Sequence, residues 1–166
     1  GIALSNKEGI GWYIPIDHLN GDQIPRDQVL SILGPLFANP AVPKVAHNAN
    51  FDLMALETAG IKVANMAFDT MVSAALCGYR QVGLKQLVLH LYQVEMTPIK
   101  ELIGIGKQQI SMAEVPISKV SPYAAADADF TWRLYETFKN ILEQELILLS
   151  SHKQVYEMYL LLEDAH

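Results

Sequence analysis

Two short strings hold the side chains best suited to chemistry. His47-Asn48-Ala49-Asn50-Phe51-Asp52 lies where a strand-like run passes into a helix-like one, and Tyr123-Ala124-Ala125-Ala126-Asp127-Ala128-Asp129 opens a long helical stretch. Asn48 and Asp52 are four residues apart, as are Tyr123 and Asp127, so each pair shares one face of a helix. Each pair sets a carboxylate beside a hydrogen-bonding side chain. Two such helices, converging, would offer hard oxygen donors to a divalent cation, and Mg²⁺ and Mn²⁺ favour that donor type. A plainer reading stands beside this one. An Asp in a first helical turn is favoured by the helix dipole by about 0.3–1 kcal/mol, and Asn48 can simply cap its helix. His47 reads as structural or substrate-facing, since no second His lies at ligand spacing; Asp129 reads as solvent-facing or as a helix-start charge, and Asp69 as a cap. The co-occurrence of both strings, in this order, is what points to a site.

The elements that must position these residues can be read from pattern. Residues 1–5 and 10–16 are β-like runs around the polar turn Asn6-Lys7-Glu8-Gly9, which predicts a hairpin. Val29, Leu30, Ile32, Leu33 and Leu36 follow Pro25 at helical spacing. Residues 43–47 form a short strand, a helix runs over 48–59 to a stop at Gly60, and residues 66–68 form another strand. Asp69 is placed to cap a helix over 70–77. Further helices are expected over 84–92, around 98–103, over 121–149 with Pro122 in the first turn, and over 153–162. A hairpin followed by alternating strands and helices predicts an α/β fold with a mixed sheet. Strand-to-helix junctions at the end of such a sheet are where α/β folds place sites. The alanines of the second string would let its helix lie close against that sheet.

Composition narrows the class. The 166 residues are 51% hydrophobic and 18% charged, which excludes a disordered or low-complexity chain. No apolar run approaches the roughly 20 residues of a membrane span, and the start lacks the pattern of a signal peptide. The single cysteine, Cys77, permits neither an internal disulfide nor a cysteine-based zinc cluster. The expectation is a soluble protein of a reducing compartment, the cytoplasm, with no membrane partner. Net charge is -6, with the basic residues scattered, which argues against a clamp on duplex nucleic acid. It leaves room for an enzyme that handles phosphates through cations held by carboxylates.

Lys44-Val45-Ala46-His47-Asn48-Ala49-Asn50-Phe51-Asp52 resembles the second motif, and Tyr123-Ala124-Ala125-Ala126-Asp127-Ala128-Asp129-Phe130-Thr131 the third, of the four-carboxylate (DEDD) 3′–5′ exonucleases, tyrosine subclass. Tyr-Ile-Pro-Ile-Asp-His at 13–18, Ala-Phe-Asp-Thr-Met at 67–71 and Gly-Ile-Gly-Lys-Gln-Gln at 104–109 narrow the resemblance to the proofreading domain of bacterial family A DNA polymerases, the DNA polymerase I family. It runs to about residue 138, and Ala126 departs from a Glu common in the family at a position that ligates no metal. The resemblance implies a ribonuclease H-like fold, with a central mixed β-sheet flanked by helices. It implies two-metal hydrolysis, with Mg²⁺ or Mn²⁺, of the last phosphodiester at a single-stranded 3′ end of DNA. Asp127 would be a direct ligand of the tighter-bound metal, and Asp52 would act at the second, partly through water. Tyr123 would orient the attacking water, since a phenol of pKa about 10 is a poor base at neutral pH. Asn48 would help position the terminal nucleotide.

The family's first motif, Asp-x-Glu on its first strand, occurs nowhere in the chain. By the resemblance it lies upstream of Gly1, so the chain reads as one domain, 1–166, that starts on the family's second strand and lacks the first. Helices from about residue 140 would lead toward the polymerase domain of the same parent chain. The fragment is expected to bind Mg²⁺ poorly and to cleave little or nothing. Two alternatives remain at this level: an RNase D-like enzyme that trims RNA, and a non-catalytic module beside a polymerase. Apolar Leu146-Ile147-Leu148-Leu149 and Tyr159-Leu160-Leu161-Leu162 would pack on the domain or support a homodimer.

Overall fold

The computed structural model describes the backbone of residues 1–163, and the side chains through Ser150 together with Lys153. It opens with an antiparallel hairpin, β1 (Ile2–Lys7) and β2 (Ile10–Ile14), with Ile2 opposite Ile14 and Leu4 opposite Trp12. Gly9 turns the chain at φ 78°, in the left-handed region that suits glycine. Next come α1 (Arg26–Ala38), β3 (Lys44–Ala46), α2 (Ala49–Thr58) and β4 (Met66–Asp69). Then follow α3 (Thr70–Leu76), α4 (Leu84–Tyr92) and α5 (Lys100–Ile103), and two short 3-10 turns lead into α6 (Ile117–Glu163). β3 and β4 pair in parallel, and among the described residues no single sheet joins the two senses, in place of the one mixed sheet that the sequence predicts. Among the described residues the hairpin and the β3–β4 pair are separate ladders.

α6 departs from the expected pattern at both ends. It begins at Ile117, four residues earlier than expected, because the Pro116 carbonyl accepts from Lys119 and Val120 and starts the helix there. Pro122 therefore sits inside the helix, where it withholds one backbone donor. The break expected near residues 150–152 is absent: Ser-Ser-His holds neither Gly nor Pro, and the helix runs on to Glu163. Leu146, Ile147, Leu148 and Leu149 are exposed at 52–68%. The side chains of residues 159–162, the other half of the expected dimer surface, lie outside the described residues.

The core forms where α3 and α4 meet α6. Ala74, Leu87, Val88, Leu134 and Phe138 are essentially inaccessible, with Met96 beside them. Tyr79 meets Phe138 edge to face at 5.6 Å. α6 also crosses the hairpin closely: a side chain at Gly11 would collide with the Ala125 carbonyl oxygen, and the small residues 124–126 permit that approach. This helix therefore ties the core to the hairpin and sets where Asp127 lies. Replacing Phe138 with Ala should cost about 3–5 kcal/mol, read as a fall in the urea midpoint. A cost below about 1 kcal/mol would show that the core is not centred there.

Candidate active site

A cleft of about 930 Å³ separates the two ladders. β1 and β3 border it, and Asp127, Ala128 and Thr131 of α6 line its side. Asn48 and Asp52 line it as well, so the cleft brings three of the four expected site residues together. Tyr123 is not among its lining residues. It stands against Asp127, with which its phenol interacts directly, and the Lys85 ammonium lies 4.1 Å from the Tyr123 ring centroid and 4.0 Å from Asp127 Oδ1.

The first string is shaped by Asp69. Asn48 lies just before α2 in a left-handed conformation, φ 63° and ψ 57°, which Asn tolerates better than most residues. Its side chain makes no cap, contrary to the plainer expectation. Asp69 caps α2 instead, with its Oδ1 accepting from the Asn48 N–H at 3.1 Å and its Oδ2 from the Ala49 N–H at 2.8 Å. The same Oδ1 accepts from Met71 at 2.8 Å and from Val72 at 3.4 Å, which is the α3 cap that the sequence predicts. Burial by itself would raise this carboxyl's pKa, but the four backbone donors prevail and hold it below the usual value. His47 lines the cleft and has Nδ1 2.8 Å from the Thr70 hydroxyl, and burial lowers its pKa against the opposing pull of Asp69.

The second string is anchored by Asp129, where the sequence reading needs correction. Asp129 is not solvent-facing; it is 9% exposed. Its Oδ1 accepts from the Gly9 N–H at 2.7 Å and its Oδ2 from Arg133 at 2.8 Å, so it fixes the tip of the hairpin to α6. The Arg133 partner at i+4 is visible in the sequence. Gly9, 120 positions away, is not.

Asp52 and Asp127 are in the opposite state. Asp127 Oδ1 is buried and accepts no hydrogen bond, the one such atom among the described residues. Burial pushes the Asp127 pKa up, against Lys85 and Tyr123, which pull it down. Partial burial followed by the like charge of Asp69 also pushes Asp52 up, although its residue surface is open to water. Tyr123 is pushed up to about 12, by burial first and then by Asp127, so it remains a neutral phenol at any working pH. A buried carboxylate oxygen without a donor, in one cleft with a second carboxylate, suits a hard cation. Among the described residues no group of three or more His, Cys, Asp or Glu could hold a metal ion.

The fold is ribonuclease H-like. NrnC of Brucella melitensis with bound Mg²⁺ superimposes with a TM-score of 0.50 at 20% identity, over 68% of this chain and 52% of that one. The model of a family described as 3′–5′ exonuclease matches residues 1–143, and the chain belongs to that family. DNA polymerase I of Chloroflexus aurantiacus is 48% identical over 147 residues, 87% of this chain. That of Pseudomonas aeruginosa is 30% identical over 150 residues, 86% of this chain. The chain spans 16% of the length of each of these relatives. Among the described residues no helix is long and apolar enough to cross a membrane.

Replacing Asp69 with Ala orphans four backbone donors and should cost about 1–3 kcal/mol by denaturant titration. Because the folded pKa of Asp69 is lowered, its contribution is present above the unfolded value, near 3.9, and is lost as pH falls through the lower folded one. Parent and variant should thus converge in stability only at strongly acid pH. Convergence already at neutral pH would remove this role.

Proposed function

We propose that this domain removes nucleotides from the single-stranded 3′ end of DNA by metal-dependent hydrolysis, as the proofreading part of a polymerase that works in the bacterial cytoplasm. On this reading residues 1–166 are one exonuclease domain, and α6 leads from it toward the polymerase domain. The observation that carries it is the unsatisfied, buried Asp127 Oδ1 in one cleft with Asp52.

Asp127 and Asp52 would hold Mg²⁺ or Mn²⁺. Bound divalent cations supply an acidified water as nucleophile and neutralise charge on the departing 3′-oxygen. Tyr123, whose hydroxyl keeps its proton, orients that water and does not take its proton. Asn48, exposed at the α2 junction and lining the cleft, positions the terminal nucleotide with its side-chain amide, which is left free by the Asp69 cap. The shape of the cleft also bears on activity. β1 and β3 border it without pairing to one another, so an extended segment could lie there as a strand between them. An Asp-x-Glu on such a segment would complete the donor set. With Asp52 and Asp127 alone, the 166-residue chain would bind Mg²⁺ weakly and cleave little.

The test compares the 166-residue chain, the same chain extended by an N-terminal strand bearing Asp-x-Glu, and that extended chain with Asp127→Ala. Each is assayed with Mg²⁺ on single-stranded DNA and on RNA of equal sequence. The extended chain should release nucleoside monophosphates from DNA, and Asp127→Ala should lower the rate by at least about 10³-fold. Equal cleavage by the extended chain and its Asp127→Ala variant would refute the site assignment. Preferential cleavage of RNA would refute the substrate.

A further inference from the structure

Lys85 plays no part in the hydrolysis proposed for Asp52, Tyr123 and Asp127; Arg26 and Lys44 line the cleft and Lys85 does not, yet its ammonium is the one that stands against Asp127. It is the second residue of α4, and its ammonium donates to the Thr97 carbonyl oxygen. It also lies over the Tyr123 ring, 4.1 Å from the centroid, and 4.0 Å from Asp127 Oδ1. A separation of 4.0 Å is too long for a hydrogen bond, and Asp127 Oδ1 indeed accepts none. The ammonium is therefore held by Thr97 and by the ring face, beside the carboxylate and not on it. An ammonium has three donors, and the Thr97 carbonyl takes one.

That placement is costly for a cation site considered alone. A metal ion at Asp127 and the ammonium of Lys85 would repel each other across a few ångströms. A phosphate between them would balance both charges. We propose that Lys85 is a phosphate-binding residue of the exonuclease site: it weakens cation binding at Asp127 when DNA is absent, and holds the phosphate of the 3′-terminal nucleotide when DNA is present. This rests on the reading of Asp127 as a metal-holding residue. Lys85 thus couples the two ligands, so that cation and nucleotide each bind better with the other in place.

The test uses the polymerase-length protein carrying this domain, with Lys85→Met, Lys85→Arg and Asp127→Ala. Mn²⁺ alone is titrated by electron paramagnetic resonance, and the part lost in Asp127→Ala is taken as the site in question. Steady-state kinetics are measured on a single-stranded oligonucleotide. Lys85→Met should bind Mn²⁺ at that site ~3- to 10-fold more tightly without DNA. Its kcat/KM should nevertheless fall ~100-fold, and Lys85→Arg should recover most of that loss. A Lys85 that merely pins the loop at Thr97 would not give opposite signs for metal and for substrate. Mn²⁺ affinity that is unchanged or weaker in Lys85→Met overturns the proposal, and so does an unchanged kcat/KM. If Asp127→Ala loses no Mn²⁺, the reading of the site itself fails.

Discussion

The Asp69 carboxylate joins two strand-to-helix junctions that are adjacent in space and about 20 residues apart in the chain. Its two oxygens accept the N–H groups of Asn48 and Ala49 from one junction and of Met71 and Val72 from the other. Helix starts leave such donors unsatisfied, and a charged acceptor satisfies them more strongly than a neutral one. The left-handed turn at Asn48 costs of order 1–3 kcal/mol, and hydrogen bonds to a charged group return a comparable amount. Once that turn is fixed, α2 leaves β3 in one direction only, and Asp52 faces the cleft. The position of half the candidate site thus follows from a residue outside the proposed chemistry.

The other half follows from a second buried carboxylate. Asp129 locks the hairpin tip to α6, and close contact at Gly11 and Ala125 sets the depth of that helix against the hairpin. Asp127, two residues before Asp129, is then presented to the cleft. The four acids divide by what they accept. Asp69 and Asp129 are saturated with donors and hold the frame, whereas Asp127 has a bare buried oxygen and Asp52 has only a like charge as neighbour. That contrast separates framework from site more sharply than residue type does.

Much of this was legible in the sequence. Spacing of four in both strings, the cap at Asp69, the stop at Gly60 and the alanines that admit α6 are local signals, and local rules governed them. What escaped depends on contacts between distant segments. Asp129 resembles any helix-start acid until Gly9 is placed beside it. Lys85 is an ordinary helical lysine until Thr97, Tyr123 and Asp127 surround it. The unbroken run of α6 to Glu163 was missed for another reason: a polar triplet weakens an apolar pattern without stopping a helix.

Cations on this reading are held by Asp52 and by Asp127, whose buried Oδ1 accepts no hydrogen bond, and not by the saturated Asp69 and Asp129. Anomalous diffraction from Mn²⁺-soaked crystals of the polymerase-length protein tests it most directly. An anomalous peak is expected about 2.1 Å from an Asp127 carboxylate oxygen, with Asp52 in its first or second coordination sphere. A cleft with no peak near Asp127, or manganese held instead by Asp69 or Asp129, would contradict it.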